Sequence, residues 1–365
     1  MKRSSPVIPL YQRYPRLERV LARVPLGDFP TPVEPLSGLN RKQEHSGLYI
    51  KRDDLSATPY GGNKIRKLEF LLADARKKGS RRIITSGAAG SNHALATAIY
   101  SRKCGFPCTL MLFAQPPAPG IDRQLLADFA TGAELIHDTS YADHCRHLAA
   151  IVTGYTETDG IPPYVIPAGG SAPTGAVGYV NAAFELAEQI NQGILPEPAA
   201  VYVTLGTMGT VAGLLIGFTA AGINSSIIAV RVVPDVVADR KKLSGLFEST
   251  NRLLHEADPA FPLINFEHTA IELKNTYFGN GYGMPTPEAQ TAIRIFRDHD
   301  DIALDPVYTG KTAAAFLDAI STAGSSKKNV LFWHTKSACP PPAPPTPVDF
   351  KNLPQEFHSY FADSQ

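Results

Sequence analysis

The chain has 365 residues, of which 44% are hydrophobic and 19% charged, with 35 basic and 34 acidic side chains and a net charge of +1. That is enough apolar material for two domains. The balanced charge excludes a nucleic-acid-binding tract and a polybasic membrane anchor, no apolar run reaches transmembrane length, and four cysteines (Cys104, Cys108, Cys145 and Cys339) in a chain this long make no disulfide framework.

Met1 to Pro15 carries Lys2 and Arg3 but no apolar stretch, so a secretory signal is not expected. The scarcity of acids before Glu18 leaves a cleaved organelle transit peptide open, and the expectation is a cytoplasmic protein. The first chemically informative segment is Lys51-Arg52-Asp53-Asp54-Leu55, followed by Tyr60-Gly61-Gly62-Asn63-Lys64-Ile65-Arg66-Lys67-Leu68-Glu69-Phe70. Ile65, Leu68, Leu71, Leu72 and Ala75 recur at helical spacing, so a lysine stands at the start of a helix directly behind two glycines and an asparagine. The helix dipole and burial both disfavour a charged amine there, and neutral lysine is the form that attacks a carbonyl. Lys64 is therefore a candidate Schiff-base lysine, with Lys67 one turn on along a similar face. Taken alone, the segment also fits an exposed basic first turn after a loop.

Strands are predicted at 82–86, 107–113, 164–166, 201–204, 227–233 and 330–333, with helices at 93–104 and 177–190 between them. Buried apolar strands alternating with helices predict a parallel α/β sheet, whose ligands bind beyond the carboxyl ends of the strands. Three strand-to-loop junctions carry chemical groups. Ser86 to His93 opens a helix and resembles an anion site, with Ser91 and Asn92 facing the crevice; a glycine-rich turn with an asparagine cap reads equally well. Leu205 to Gly213 combines small residues with two threonine hydroxyls, a composition suited to phosphate or to close helix–sheet packing. Leu304 to Thr312 contains Gly310-Lys311-Thr312, but the earlier glycine that a nucleotide P-loop requires is Asp305. A turn and an alanine-rich helix are expected instead, with Tyr308 near a ligand. His144, Cys145 and His147 lack zinc-site spacing, so no metal is expected. Pro340 to Pro347 contains six prolines and should be extended, and the apolar Val348 to Phe361 is expected to pack on the body or on a partner subunit.

Together these segments resemble the D-cysteine desulfhydrase and 1-aminocyclopropane-1-carboxylate (ACC) deaminase family of fold type II pyridoxal 5'-phosphate enzymes, from Arg23 through Thr31-Pro32 to Thr335. The resemblance implies an α/β chain of two open parallel-sheet domains with the cofactor in the cleft between them. Residues 1–66 and 181–339 would form the large domain, 67–180 the small one and 340–365 a proline-rich tail. It implies that Lys64 holds the cofactor covalently, that Asn92 bonds the ring hydroxyl, and that Gly206, Thr207, Met208, Gly209 and Thr210 hold the phosphate. Lys67, Thr309 and Thr335 would complete the cofactor site. Ser91, Asn92 and His93 would receive the substrate carboxylate, with Ser91 also an acid/base group. Tyr282, in Gly281-Tyr282-Gly283, and Tyr308 match tyrosines that line the family's active site. ACC deaminases carry glutamate and leucine where this chain has Thr309 and Thr335; desulfhydrases carry threonine at both. A carboxylate near the pyridine nitrogen keeps it protonated, whereas a hydroxyl leaves a weaker electron sink, which suffices when a good leaving group departs from Cβ.

The implied activity is α,β-elimination on a small amino acid, first D-cysteine, in a homodimer. The alternatives are elimination from D-serine or β-chloroalanine, deamination of ACC, and a non-catalytic cofactor or amino-acid binder that regulates a partner. The chain departs from the desulfhydrase pattern at the last strand: where the family continues His-Thr-Gly-Gly, it reads His334-Thr335-Lys336-Ser337. Lys336 is expected either in the substrate cleft or pointing to solvent.

Overall fold

The computed structural model describes residues 7–116, 118–322, 328–344 and 346–364, so the first six residues of the N-terminal reading and one position of the proline tract lie outside the description. Among the described residues ten strands form in chain order: β1 (Val33–Pro35), β2 (Leu48–Lys51), β3 (Ile83–Ala88), β4 (Cys108–Phe113), β5 (Glu134–Asp138), β6 (Tyr164–Ile166), β7 (Ala200–Leu205), β8 (Ser226–Arg231), β9 (Ile271–Lys274) and β10 (Val330–Trp333). One sheet has the order β1-β2-β10-β7-β8-β9, the other β5-β4-β3-β6. All pairings are parallel except β1 with β2. The chain is therefore α/β with two parallel-sheet layers, and apolar strands such as Val201-Tyr202-Val203 and Ile227-Ile228-Ala229 are buried because helices cover both faces. The strand predicted to reach Val233 ends at Arg231; Pro234 follows too closely for the ladder to continue.

Two long helices lie between the sheets. Lys64–Lys77 packs on Pro173–Asn191, and a Cβ at Gly178 would stand 2.1 Å from the Arg66 carbonyl oxygen, so the two backbones meet directly. At the start of the first helix, Gly62 has φ +90°, a left-handed conformation that glycine adopts without cost, and a Cβ there would stand 2.9 Å from the Thr335 carbonyl oxygen. Asn63 N–H donates to that oxygen at 2.9 Å, fastening the loop before Lys64 to the end of β10.

Beneath this loop lies a buried ion network. Arg66 bonds Asp53 and Glu185, each at 2.8 Å, and Lys51 bonds Glu185 at 2.6 Å. Tyr179 and Trp333 donate to the second Asp53 oxygen at 2.6 and 2.8 Å. Two cations meet two carboxylates, so the buried charge is balanced, the condition under which buried ions are tolerated. The network ties together β2, the Lys64 helix, the Pro173–Asn191 helix and β10.

The tail packs on the body. Leu353, Phe357 and Phe361 are buried in the apolar core of the smaller sheet, and the Tyr360 hydroxyl donates to the Gln115 carbonyl at 3.0 Å while accepting from its N–H at 3.0 Å.

Candidate active site

The carboxyl ends of β3, β7 and β10 converge on one cavity of about 390 Å³. Strand order reverses around β10, which returns from the end of the chain to sit between β2 and β7, and such a switch point opens a crevice for ligand. Lys64, Lys67, Ser91, Asn92, His93, Gly206, Thr207, Met208, Thr210, Tyr282, Tyr308 and Thr335 all line it.

Lys64 is the first residue of its helix, and its Nζ is held by Asn63 Oδ1 at 2.7 Å. Burial, and then the Lys336 charge, push its amine down to about 8. Asn63 also donates from Nδ2 to Thr210 Oγ1 at 3.0 Å, linking the lysine to the loop after β7. In that loop Met208 has φ +72°, an uncommon conformation for a residue with a side chain, and it opens the helix Gly209–Ala221. Among the described residues the N–H groups of Thr207, Met208 and Thr210 find no acceptor. Lys67 Nζ donates to the Gly169 carbonyl at 3.0 Å and lies beside Gly209, where a Cβ would stand 3.1 Å from it. Free N–H groups at a helix start next to a lysine make a site for a dianion.

Across the cavity, Ser91 caps the helix Asn92–Lys103 by accepting from Ala94 N–H at 3.2 Å. The Asn92 and His93 N–H groups are left without an acceptor among the described residues. Asn92 Oδ1 accepts from the Tyr60 hydroxyl at 2.7 Å, which leaves its Nδ2 donor for a ligand. The His93 ring is turned inward, its Nε2 paired with Thr85 Oγ1 at 2.9 Å. Burial and the Lys64 and Lys67 charges keep that ring neutral. His93 thus has its backbone N–H, and not its ring Nε2, open toward the cavity. The Tyr282 and Tyr308 hydroxyls bond each other, and burial raises both above the usual phenol range, so both keep their protons.

Two residues expected at the cofactor lie one layer back. The Thr309 hydroxyl donates to Asp305 Oδ2 at 2.8 Å and accepts from Asp305 N–H at 3.0 Å, and Thr309 is absent from the cavity wall. Asp305 also accepts from the N–H groups of Val307, Tyr308 and Thr309, so helix capping has claimed this pair. Gly209 faces Ser171, to which its N–H donates at 3.1 Å. Elsewhere, His144 and His147 bracket Asp138, each at 2.7 Å, as a polar cluster on the small sheet.

The family described as "Pyridoxal-phosphate dependent enzyme" matches residues 24–336. This chain belongs to that family. It is 36% identical over 337 residues to the D-cysteine desulfhydrase of Klebsiella pneumoniae (strain 342), covering 89% of this chain and 95% of that protein. It is 35% identical over 335 residues to the D-cysteine desulfhydrase of Salmonella newport (strain SL254), with the same coverage of each chain. A crystal structure described as an ACC deaminase homologue superposes with a TM-score of 0.76 at 32% identity, covering 90% of this chain and 96% of that one.

The donor set fits pyridoxal phosphate: an amine with a lowered proton affinity for the aldehyde, free N–H groups for the phosphate, and an amide donor at Asn92 for the ring oxygen. Capture of the cofactor by the ligand-free protein needs neutral Lys64. Its rate should rise with pH through about 8 and level off above it, whereas an ordinary lysine would keep the rate rising toward 10.5. Stopped-flow absorbance across pH 6 to 10 checks this, and a midpoint near 10.5 would contradict it.

Sequence reasoning passed over Tyr60, Asn63, Ser337 and Gln115. Each acts through a distant partner: Ser337 Oγ accepts from Gly61 N–H at 3.0 Å, and Gln115 Oε1 accepts from Gly90 N–H at 3.1 Å. The available signal was proximity to the motifs, since Tyr60 and Asn63 flank the glycine pair.

Proposed function

We propose that the chain is a pyridoxal-phosphate-dependent lyase that eliminates hydrogen sulfide from D-cysteine, giving pyruvate and ammonia. The observation that carries the reading is the placing of Lys64, with its lowered proton affinity, between free N–H groups on two helix starts, together with relatives named D-cysteine desulfhydrase over most of the chain. Lys64, Lys67, Asn92 and the Gly206–Thr210 loop would hold the cofactor, with Thr335 on the wall beside it.

Bound pyridoxal phosphate supplies an electron sink that makes the Cα proton of an amino acid removable. Lys64 would carry that proton at Cα. The Asn92 and His93 N–H groups and the Ser91 hydroxyl take the substrate carboxylate and fix which face of Cα meets Lys64. Ser91 also serves as an acid/base group. The Tyr282–Tyr308 pair presents a protonated phenol that can donate to the departing sulfur. Hydrosulfide leaves from Cβ, and water taken up by the three-carbon remainder yields pyruvate and ammonia without oxidation or reduction. The same reading assigns residues 1–66 and 181–339 to the large domain and 67–180 to the small one. It also includes a cytoplasmic homodimer, which light scattering of the purified protein tests. Among the described residues no helix is long and apolar enough to cross a membrane.

Thr335 on the cavity wall in place of leucine, and the absence of a carboxylate at position 309, where Asp305 holds the Thr309 hydroxyl, make ACC a poor substrate in this reading. D-Cysteine should give pyruvate with a higher kcat/KM than L-cysteine, and ACC should give α-ketobutyrate more slowly than either. Faster α-ketobutyrate release from ACC would replace the desulfhydrase reading with a deaminase one.

A further inference from the structure

The cavity wall holds three lysines, Lys64, Lys67 and Lys336, and no aspartate or glutamate among the described residues. Lys64 has the cofactor aldehyde to attack, and Lys67 lies at the phosphate end, beside Gly209 and Gly169. Lys336 has no task in either. It follows Thr335 at the end of β10, and its side chain turns inward. Its Nζ donates to Asn92 Oδ1 at 2.9 Å and to Tyr60 Oη at 3.2 Å, and it lies 5.3 Å from the centre of the Tyr60 ring. Both acceptors are neutral, and an ammonium has three donors, so one N–H remains for a ligand. Lys336 makes no ion pair with a carboxylate among the described residues. Burial of the side chain lowers the proton affinity of its amine, and the Asp305 charge, which acts on it without forming an ion pair, offsets this only in part.

An ammonium taken from water into a largely enclosed site is costly unless an anion meets it. The substrate's α-carboxylate already has donors of its own, the Asn92 and His93 N–H groups and the Ser91 hydroxyl. The phosphate has the Gly206–Thr210 loop, and the ring oxygen has the Asn92 amide donor. A further anion is left to be supplied, at the end of the cavity where Asn92 and Tyr60 lie. We propose that Lys336 selects amino acids carrying a second carboxylate on the β-leaving group, by pairing with that carboxylate. The inference rests on the elimination reading above and narrows its substrate class. For an S-carboxymethyl cysteine, the Cα proton is removed, the Cβ–S bond breaks, thioglycolate departs with the electron pair, and water completes pyruvate and ammonia.

The test compares two substrates of nearly equal shape on the holoenzyme, S-carboxymethyl-D-cysteine and its neutral amide S-carbamoylmethyl-D-cysteine, with D-cysteine as reference. The ratio of their kcat/KM values for pyruvate is read in the parent and in Lys336→Met, so a general loss in the variant cancels. The parent should favour the carboxylate by about tenfold to a hundredfold, the range for a charged hydrogen bond, and Lys336→Met should bring the ratio close to one. Calorimetric binding of D-2-aminoadipate against its 6-amide, in which a methylene replaces the sulfur, gives the same comparison without elimination. Equal handling of acid and amide by the parent overturns the proposal, as does a preference that survives in Lys336→Met. Pyruvate from D-cysteine without any preference would sink the Lys336 role and leave the elimination reading standing. Absence of pyruvate from every substrate, with a D-2-aminoadipate preference lost in Lys336→Met, would sink the elimination reading and support the anion role.

Discussion

Lys64→Ala is expected to lower pyruvate formation from D-cysteine by about 10³-fold or more, the scale of losing both the covalent hold on the cofactor and the proton carrier at Cα. The fold should survive, because among the described residues Lys64 Nζ bonds only the Asn63 side chain, while the helix that follows is anchored through Arg66. Far-ultraviolet circular dichroism should therefore be unchanged while the visible absorbance of the covalent cofactor is lost. In the parent, borohydride reduction and peptide mapping should find the pyridoxyl group on Lys64. Finding it on Lys67, which lies on the same cavity wall, would reverse the assignment of the two lysines.

The second large effect is on stability. Arg66→Ala removes the cation shared by Asp53 and Glu185, both almost wholly buried, and leaves them with Lys51 alone. Uncompensated buried charge of this kind costs about 3–5 kcal/mol. Burial by itself would raise the Asp53 carboxyl, yet Arg66 and Lys51 outweigh it and hold it at about 2. A depressed carboxylate contributes stability that is complete above its unfolded value of about 4 and is lost as pH falls toward 2. The parent should therefore weaken in acid over that window, and Arg66→Ala should show much less of this dependence because the stabilising cation is gone. Urea unfolding at neutral and acid pH measures both effects. Arg146, paired with Asp143 on the surface, is the control: Arg146→Ala should leave urea unfolding nearly unchanged. Equal losses in the two variants would mean that the network contributes nothing special.

Much of the architecture was legible because its signals are local. The apolar runs of β3, β4, β7 and β10 carry their own strand character, and the lysine behind Gly61-Gly62-Asn63 sits at a helix start that its sequence periodicity marks. The strand-to-helix junctions after β3 and β7 were readable for the same reason, and both border the cavity; the third, Leu304 to Thr312, follows the helix Pro287–Asp300 rather than a strand and reaches the cavity through Tyr308. The short strands β1, β2, β5 and β9 were not named. Leu48 to Lys51 is only four residues long and ends in a lysine, which by itself argues against burial; Lys51 is buried because Glu185 meets it from 134 positions away.

By itself, then, the sequence determined the parallel α/β class, the candidate Schiff-base lysine and the small-residue loop at the start of the helix Gly209–Ala221, since each depends on residues within a turn or two of one another. Tertiary structure decided which polar groups face the ligand. Thr309 is spent on Asp305, four residues back, and the His93 ring on Thr85 of β3, eight residues back, pairings that no periodicity marks. The apolar tail settles on the small-sheet core and grips Gln115 from 245 positions away. Lys336, which sequence left undecided between cleft and solvent, enters the cleft because Asn92 and Tyr60 offer acceptors there, 244 and 276 positions distant. Local periodicity fixes where backbone hydrogen bonds go, but a side chain's partner depends on which distant segments packing brings within bonding distance, and that information is spread over the whole chain.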